Sequence, residues 1–143
     1  MQPLTWRFAE NADCAQLAAW NHQLIRDEGH RNTMDVAALE TRMRGFLAGE
    51  YRAVIFSAEN TAVAYALFRE SDSEIYLRQL FVIRERRREG IGRRAVGILR
   101  GEVWPSTKRL TIEVLTANAR AVAFWRAMGY VDYCLTLEIL PSV

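Results

Sequence analysis

Residues 74–115 constrain the fold most. A strand-length run at 74–83 leads through an arginine-rich junction, residues 84–94, into apolar positions Ile91, Ala95, Ile98, Leu99 and Val103, which Pro105 terminates. A second extended run follows at 110–115. Helical spacing between two extended runs reads as strand, helix, strand. Strands joined this way lie parallel, because the helix carries the chain back across a sheet face, and the crossover is right-handed in nearly all cases. Gly90 and Gly92 in the junction lack Cβ atoms, so a charged group can approach the backbone and meet the unpaired N–H groups of a helix N-terminus. The junction reads as an anion cradle, and phosphate suits it.

The rest of the chain supplies a mostly antiparallel frame. Leu4, Trp6 and Phe8 alternate with Thr5, Arg7 and Ala9, the period of a half-buried strand. Asn11 suits the cap of a helix carrying Leu17, Trp20 and Leu24 on one face, with Gly29 at its left-handed end. A second helix starts after Thr33 or Asp35, runs through Val36, Leu39, Met43, Phe46 and Leu47, and stops at Gly49. Residues 51–58 and 61–69 are β-branched and aromatic on either side of Glu59 and Asn60, which predicts a hairpin; residues 71–73 then turn the chain into the 74–83 strand. Ala121, Phe124, Trp125 and Met128 make a last helical stripe ended by Gly129, and residues 133–140 alternate as a closing strand. The expected fold is one α/β domain over residues 1–143, with a mixed, mostly antiparallel, twisted sheet of about six or seven strands flanked by helices. Half of the residues are apolar, enough for one core.

Charge and cysteine usage exclude several classes. The net charge of +2 is too small to argue for bulk nucleic-acid binding, yet 18 of the 19 basic residues are Arg, and seven of these fall between Arg84 and Arg100. Cys14 and Cys134 lie far apart and lack metal-ligand spacing to any His, so neither a disulfide framework nor a metal site is expected. The N-terminal residues lack a basic region followed by an apolar segment, and no run reaches the ~18 apolar residues of a membrane span. A cytoplasmic protein without membrane or nucleic-acid partners is expected.

Three phosphate chemistries compete for the junction. A Walker loop requires a Gly-Lys-Ser/Thr ending, and the only lysine is Lys108. A dinucleotide fingerprint fits Gly90, Gly92 and Ala95, with Glu113 placed as a ribose-binding acid, but arginine-rich residues separate the glycines from their strand and too little chain follows for a doubly wound sheet. The third reading joins two distant segments. Arg87, Arg88, Glu89, Gly90, Ile91 and Gly92 match R-x-x-G-x-G; residues 118–130, with Asn118, Ala121, Phe124, Trp125, Gly129 and Tyr130, match N-x-x-A-x-x-F-aromatic-x-x-x-G-aromatic.

This pairing resembles the GNAT superfamily of acetyl-CoA-dependent N-acetyltransferases, and the element order is similar to that family's along almost the whole chain. The resemblance implies that acetyl-CoA is the co-substrate, with no metal. Residues Arg87 to Gly92 would wrap the coenzyme A pyrophosphate, with side-chain contacts from Arg88 and Arg93. Leu80, Phe81 and Val82 would pair their backbone with the pantetheine arm, as an added strand does. Asn118 would hydrogen-bond the pantetheine, with Phe124 and Trp125 near the thiol. An amine, of a small molecule or a peptide, would attack the thioester directly, and a backbone N–H near Phe81 and Val82 would stabilise the oxyanion. Homodimers are common in that family, and the closing strand offers an edge for pairing with a second copy.

Two positions depart from the family pattern. Trp125 stands where relatives carry a tyrosine acid, and an indole has no useful acidity. Tyr130, Tyr133 and Cys134 are the candidate substitutes, beside solvent. Arg78 and Gln79 stand where relatives often place a glutamate base, and an Arg there suits a carboxylate-bearing acceptor. Glu28 and His30, between the first two helices, are the alternative bases. The missing acid and base keep a non-catalytic acyl-CoA sensor as a second expectation, and a dinucleotide-binding oxidoreductase as a third.

Overall fold

The computed structural model describes residues 3–142. Strand β1 (Leu4–Phe8) precedes helices α1 (Cys14–Glu28) and α2 (Val36–Ala48); strands β2 (Tyr51–Ala58), β3 (Thr61–Glu70) and β4 (Glu74–Val82) follow as a meander. Helix α3 (Ile91–Ile98), extended by a π turn at Leu99–Val103, leads to β5 (Arg109–Ile112) and helix α4 (Ala119–Ala127). The sheet order is β1-β2-β3-β4-β5, antiparallel except for the β4–β5 pair, which is parallel as the strand-helix-strand unit requires.

The sheet forms the middle layer, and its central strands bury both faces, so β2 and β3 read as nearly continuous apolar runs. On β2, Val54, Phe56 and Ala58 join Ile91, Ala95 and Leu99 of the α3 layer, while Tyr51, Ala53 and Ile55 join Leu17, Leu24 and Met43 of the α1/α2 layer. Phe56 is wholly buried, a burial that contributes roughly 1.5–3 kcal/mol relative to exposure. The caps follow from local chemistry: Asp35 accepts from the Ala38 N–H at the start of α2, and Gly29 closes α1 at φ 67°.

Over the described residues the sheet has five strands, not six or seven. Among the described residues, 131–142 pair with no strand, and Val131, Tyr133, Leu137 and Ile139 are each more than four-fifths exposed. Their alternation meets the strand criterion, but alternation alone supplies no ladder partner. The tail is tied down by polar contacts: Arg126 to Asp132, Arg109 over the Tyr133 ring, and Arg31 to Glu138.

One irregularity positions everything that follows. Leu67 lies opposite Gln79 and Phe68 opposite Leu77, so Arg78 is an extra residue, a β-bulge in β4. Before it, Ile75 and Leu77 face the α3 layer; after it, Phe81 faces the α1/α2 layer. The bulge shifts the strand's phase, so that Leu80 and Val82 now pack toward α3.

Candidate functional site

The parallel ladder is short. Residues 74–77 of β4 pair with 109–112 of β5, and beyond Leu77 the two strands separate, leaving residues 78–82 with β3 on one side and no described strand on the other. Apart from the Val82 carbonyl, which Arg87 takes, backbone groups on that free side are available to an extended ligand. Helix α4, which follows β5, reaches the same region through Phe124. Asn118 caps this helix, its Oδ1 accepting from the Ala121 N–H at 3.2 Å. Phe124 lies against Gly92, where an added Cβ would sit 3.5 Å from the Phe124 ring and 3.9 Å from Val82, so the α3 N-terminus, β4 and α4 meet at that point. Trp125 stands edge-on to both Phe124 (4.8 Å) and Tyr130 (5.4 Å). The Tyr130 hydroxyl is buried without a hydrogen-bond partner among the described residues, and burial holds its pKa above that of an ordinary tyrosine.

The junction is shaped by two left-handed residues, Arg88 at φ 67° and Gly90 at φ 76°. Gly90 takes this conformation without strain, whereas Arg88 bears about 1 kcal/mol. Helix α3 begins directly after, so its first N–H groups open on the junction, and Arg88 and Arg93 are solvent-exposed beside them. The other arginines are committed. Arg86 pairs with Glu89. Arg87 donates from Nε to the Val82 carbonyl at 2.9 Å and from Nη2 to Asp27 at 2.6 Å; Arg84 and Gln23 also donate to Asp27. Burial pushes the Asp27 carboxyl up, but these three donors outweigh it and hold its pKa below the usual carboxylate value. Asp27 on α1 therefore anchors the junction.

The α1/α2 side of the bulge is aromatic and polar. Tyr65 stacks on Trp20 at 6.0 Å and leans on Phe81 at 6.1 Å, and its hydroxyl donates to Gln79 Oε1 at 2.8 Å. Burial, then the charge of Glu28, raises the Tyr65 pKa far above its ordinary value, so it stays protonated. Glu28 is half-buried, and its pKa is raised by that burial and then by Asp27. Arg78 donates to the Tyr51 hydroxyl at 3.4 Å, with its guanidinium 4.9 Å from the Phe46 ring centre.

The structure thus groups Glu28, Tyr65, Gln79 and Arg78 around the bulge. His30 is exposed, its N–H donating to the Ile25 carbonyl. Tyr133 lies under Arg109, at the closed end of the parallel ladder. Asp27, Tyr65 and Arg42 escape sequence reading: Asp27 meets its arginines across 57 and 60 residues, Tyr65 looks like core, and Arg42 looks like one polar residue of a helix face. Among the described residues, no group of three His, Cys, Asp or Glu is placed to hold a metal ion, and no helix is long and apolar enough to cross a membrane.

The sequence model of the acetyltransferase (GNAT) family matches residues 8–130. No curated protein sequence matches the chain significantly. Among solved structures, one described as a possible acetyltransferase from Clostridium difficile 630 superposes with a TM-score of 0.81 at 15% identity, covering 98% of both chains. The aminoglycoside N-acetyltransferase AAC(6')-Iy in complex with CoA gives 0.75 at 12%, covering 100% of this chain and 97% of the other. An acetyltransferase with acetyl-CoA from Clostridium acetobutylicum gives 0.71 at 16%, covering 96% of each. At these identities the likeness shows a shared fold.

Proposed function

The chain belongs to the acetyltransferase (GNAT) family, and on that footing we propose that it moves an acetyl group from acetyl-CoA to the nitrogen of a carboxylate-bearing amine. The observation that carries this is the meeting of three ligand-ready features at one point: the α3 N-terminus behind Gly90, the free side of β4 from residue 78, and the Gly92–Phe124 contact that closes the gap between them. The pyrophosphate lies against the α3 N–H groups with Arg88 and Arg93, an arrangement whose dipole adds ~0.3–2 kcal/mol of attraction. The pantetheine lies along residues 80–82, and the thioester reaches the bulge.

The amine attacks the acetyl carbonyl directly. The C–N bond forms, the C–S bond breaks, and a backbone N–H of β4 near Phe81 stabilises the oxyanion. Glu28 takes the ammonium proton through water, its raised pKa suiting it to a base at neutral pH. Trp125 gives no proton; solvent takes the second proton that the acylated nitrogen sheds and protonates the departing thiolate. Arg78 receives the acceptor's carboxylate. An aminoglycoside is a polycation and would meet Arg78 with the wrong charge, so this chain's acceptor differs in class from those named for its neighbours. Thiol release from acetyl-CoA over a panel of amines tests this: carboxylate-bearing amines turn over and aminoglycosides do not. Coenzyme binding with no thiol release for any amine would instead make the chain a sensor.

The exposed tail fits a second copy of the chain. A folded monomer of 16.4 kDa exposes roughly 7,500 Å², whereas this chain exposes 9304 Å². The excess is larger than the roughly 800 Å² per partner of a standard interface. The tail's alternating Leu135, Leu137 and Ile139 and the outer edge of β5 supply a strand and an edge, so we propose a homodimer.

A further inference from the structure

The face of α2 turned toward the bulge holds a second guanidinium. Arg42 lies 5.3 Å from the centre of the Phe46 ring, the same ring on which Arg78 sits at 4.9 Å. Arg69 stands over Tyr51 and Tyr76 at 5.4 Å from each. Among the described residues, no carboxylate is in ion-pair contact with any of the three, although nine other basic side chains have one. Neutral partners serve instead: Arg42 donates from Nη2 to Asn21 Oδ1 at 3.1 Å, and its Nε is buried with no acceptor among the described residues. The nearby carboxylate of Glu113 is taken by the Tyr76 hydroxyl at 2.7 Å.

Arg42 bears the cost of this arrangement in the free protein, while Arg78 is solvent-exposed. Burial, then the charge of Arg78, lowers the pKa of Arg42, as expected of like charges held together in a partly dry place. Two guanidiniums crowding one ring without a counter-ion leave a site whose missing component is negative charge, and their planar forks match carboxylate or phosphate oxygens. Phe46, Tyr51 and Tyr76 lower the local polarity and strengthen such contacts.

We infer that Arg42 and Arg78 together form the acceptor-recognition site, and that the acceptor is an amine bearing two negative charges, as two carboxylates or one phosphate monoester. The inference rests on the proposed acetyl transfer and adds Arg42 as a specificity-determining residue. Arg78 at the bulge holds the charge nearer the thioester, Arg42 holds the outer one, and Asn21 fixes the Arg42 fork.

Calorimetric titration with aspartate, O-phosphoethanolamine and alanine, each with and without saturating coenzyme A, tests it apart from catalysis. The expected result is that aspartate or O-phosphoethanolamine binds at least 10-fold tighter than alanine, the tighter of the two identifying carboxylate or phosphate. Arg42→Gln weakens that ligand by roughly 10- to 100-fold and alanine by only a few-fold. Equal affinity for all three amines, no binding of any of them in either state, or an undiminished preference in Arg42→Gln overturns the inference. Arg42→Lys retains charge without the fork and is expected to recover only part of the affinity. Coenzyme A heat recorded in the same experiments reports separately on the acetyltransferase reading.

Discussion

Replacing Asp27 with Ala isolates the link between α1 and the phosphate junction. The Asp27 side chain is only 17% exposed and accepts from Arg87 at 2.6 Å, Gln23 at 2.7 Å and Arg84 at 3.1 Å. A charge-assisted hydrogen bond contributes ~1.5–3 kcal/mol when well shielded. The Arg84 arm, 64% exposed, falls to the 0–1 kcal/mol of a surface pair. A net loss of ~2 kcal/mol follows, lowering the unfolding temperature of a chain this size by roughly 6–10 °C. The sign with pH is fixed by the depressed carboxyl. Its contribution is complete above the ordinary carboxylate pKa of about 4 and is lost as pH falls through the lower folded value, so parent and variant converge on acidification. The junction also loses its anchor. Restoring one residue's backbone freedom costs ~1–2 kcal/mol at binding, so coenzyme A affinity falls about 10-fold. Thermal unfolding across pH 3–7 and coenzyme A calorimetry on the same variant measure both effects. A destabilised variant with unchanged coenzyme A affinity would refute the idea that Asp27 orders the junction for binding.

Two further predictions concern proton transfer and assembly. Glu28→Gln lowers kcat/KM by roughly 10²–10⁴-fold and abolishes the acidic limb of the pH–rate profile; a retained limb excludes Glu28 as the base. Because the folded pKa of Glu28 is raised, the parent loses stability as pH rises from the ordinary glutamate value through the folded one, and the Gln variant lacks that slope. Deleting residues 131–143 converts the dimer to a monomer in sedimentation equilibrium; a parent already monomeric at tens of micromolar contradicts the assembly.

Much of the architecture is legible because its signals are local. The alternation of Leu4, Trp6 and Phe8, the Asp35 cap and the glycine stop at Gly29 each act within a few residues and hold, whereas Asn11 does not cap α1: it lies in a short 3-10 turn, Asn11–Asp13, and α1 starts at Cys14. The closing strand failed for the opposite reason: Leu135, Leu137 and Ile139 carry the right period, but strand formation depends on a neighbour the sequence does not specify. The site divides the same way. The left-handed glycine at 90 and the cap at Asn118 announce themselves through backbone demands. Asp27 and Arg42 matter only through partners brought up by the packing of α1 against β4 and α2, and the bulge at Arg78, which sets which side chains face the acceptor, leaves no compositional mark.

The central claim is that the split beyond Leu77 and the α3 N-terminus hold acetyl-CoA. Calorimetric titration of the purified chain with acetyl-CoA, free coenzyme A and NAD tests it most directly. Saturable one-to-one binding of acetyl-CoA and coenzyme A, weakened by Gly90→Val and absent with NAD, is the predicted result. No heat with acetyl-CoA, or heat with NAD alone, would contradict it.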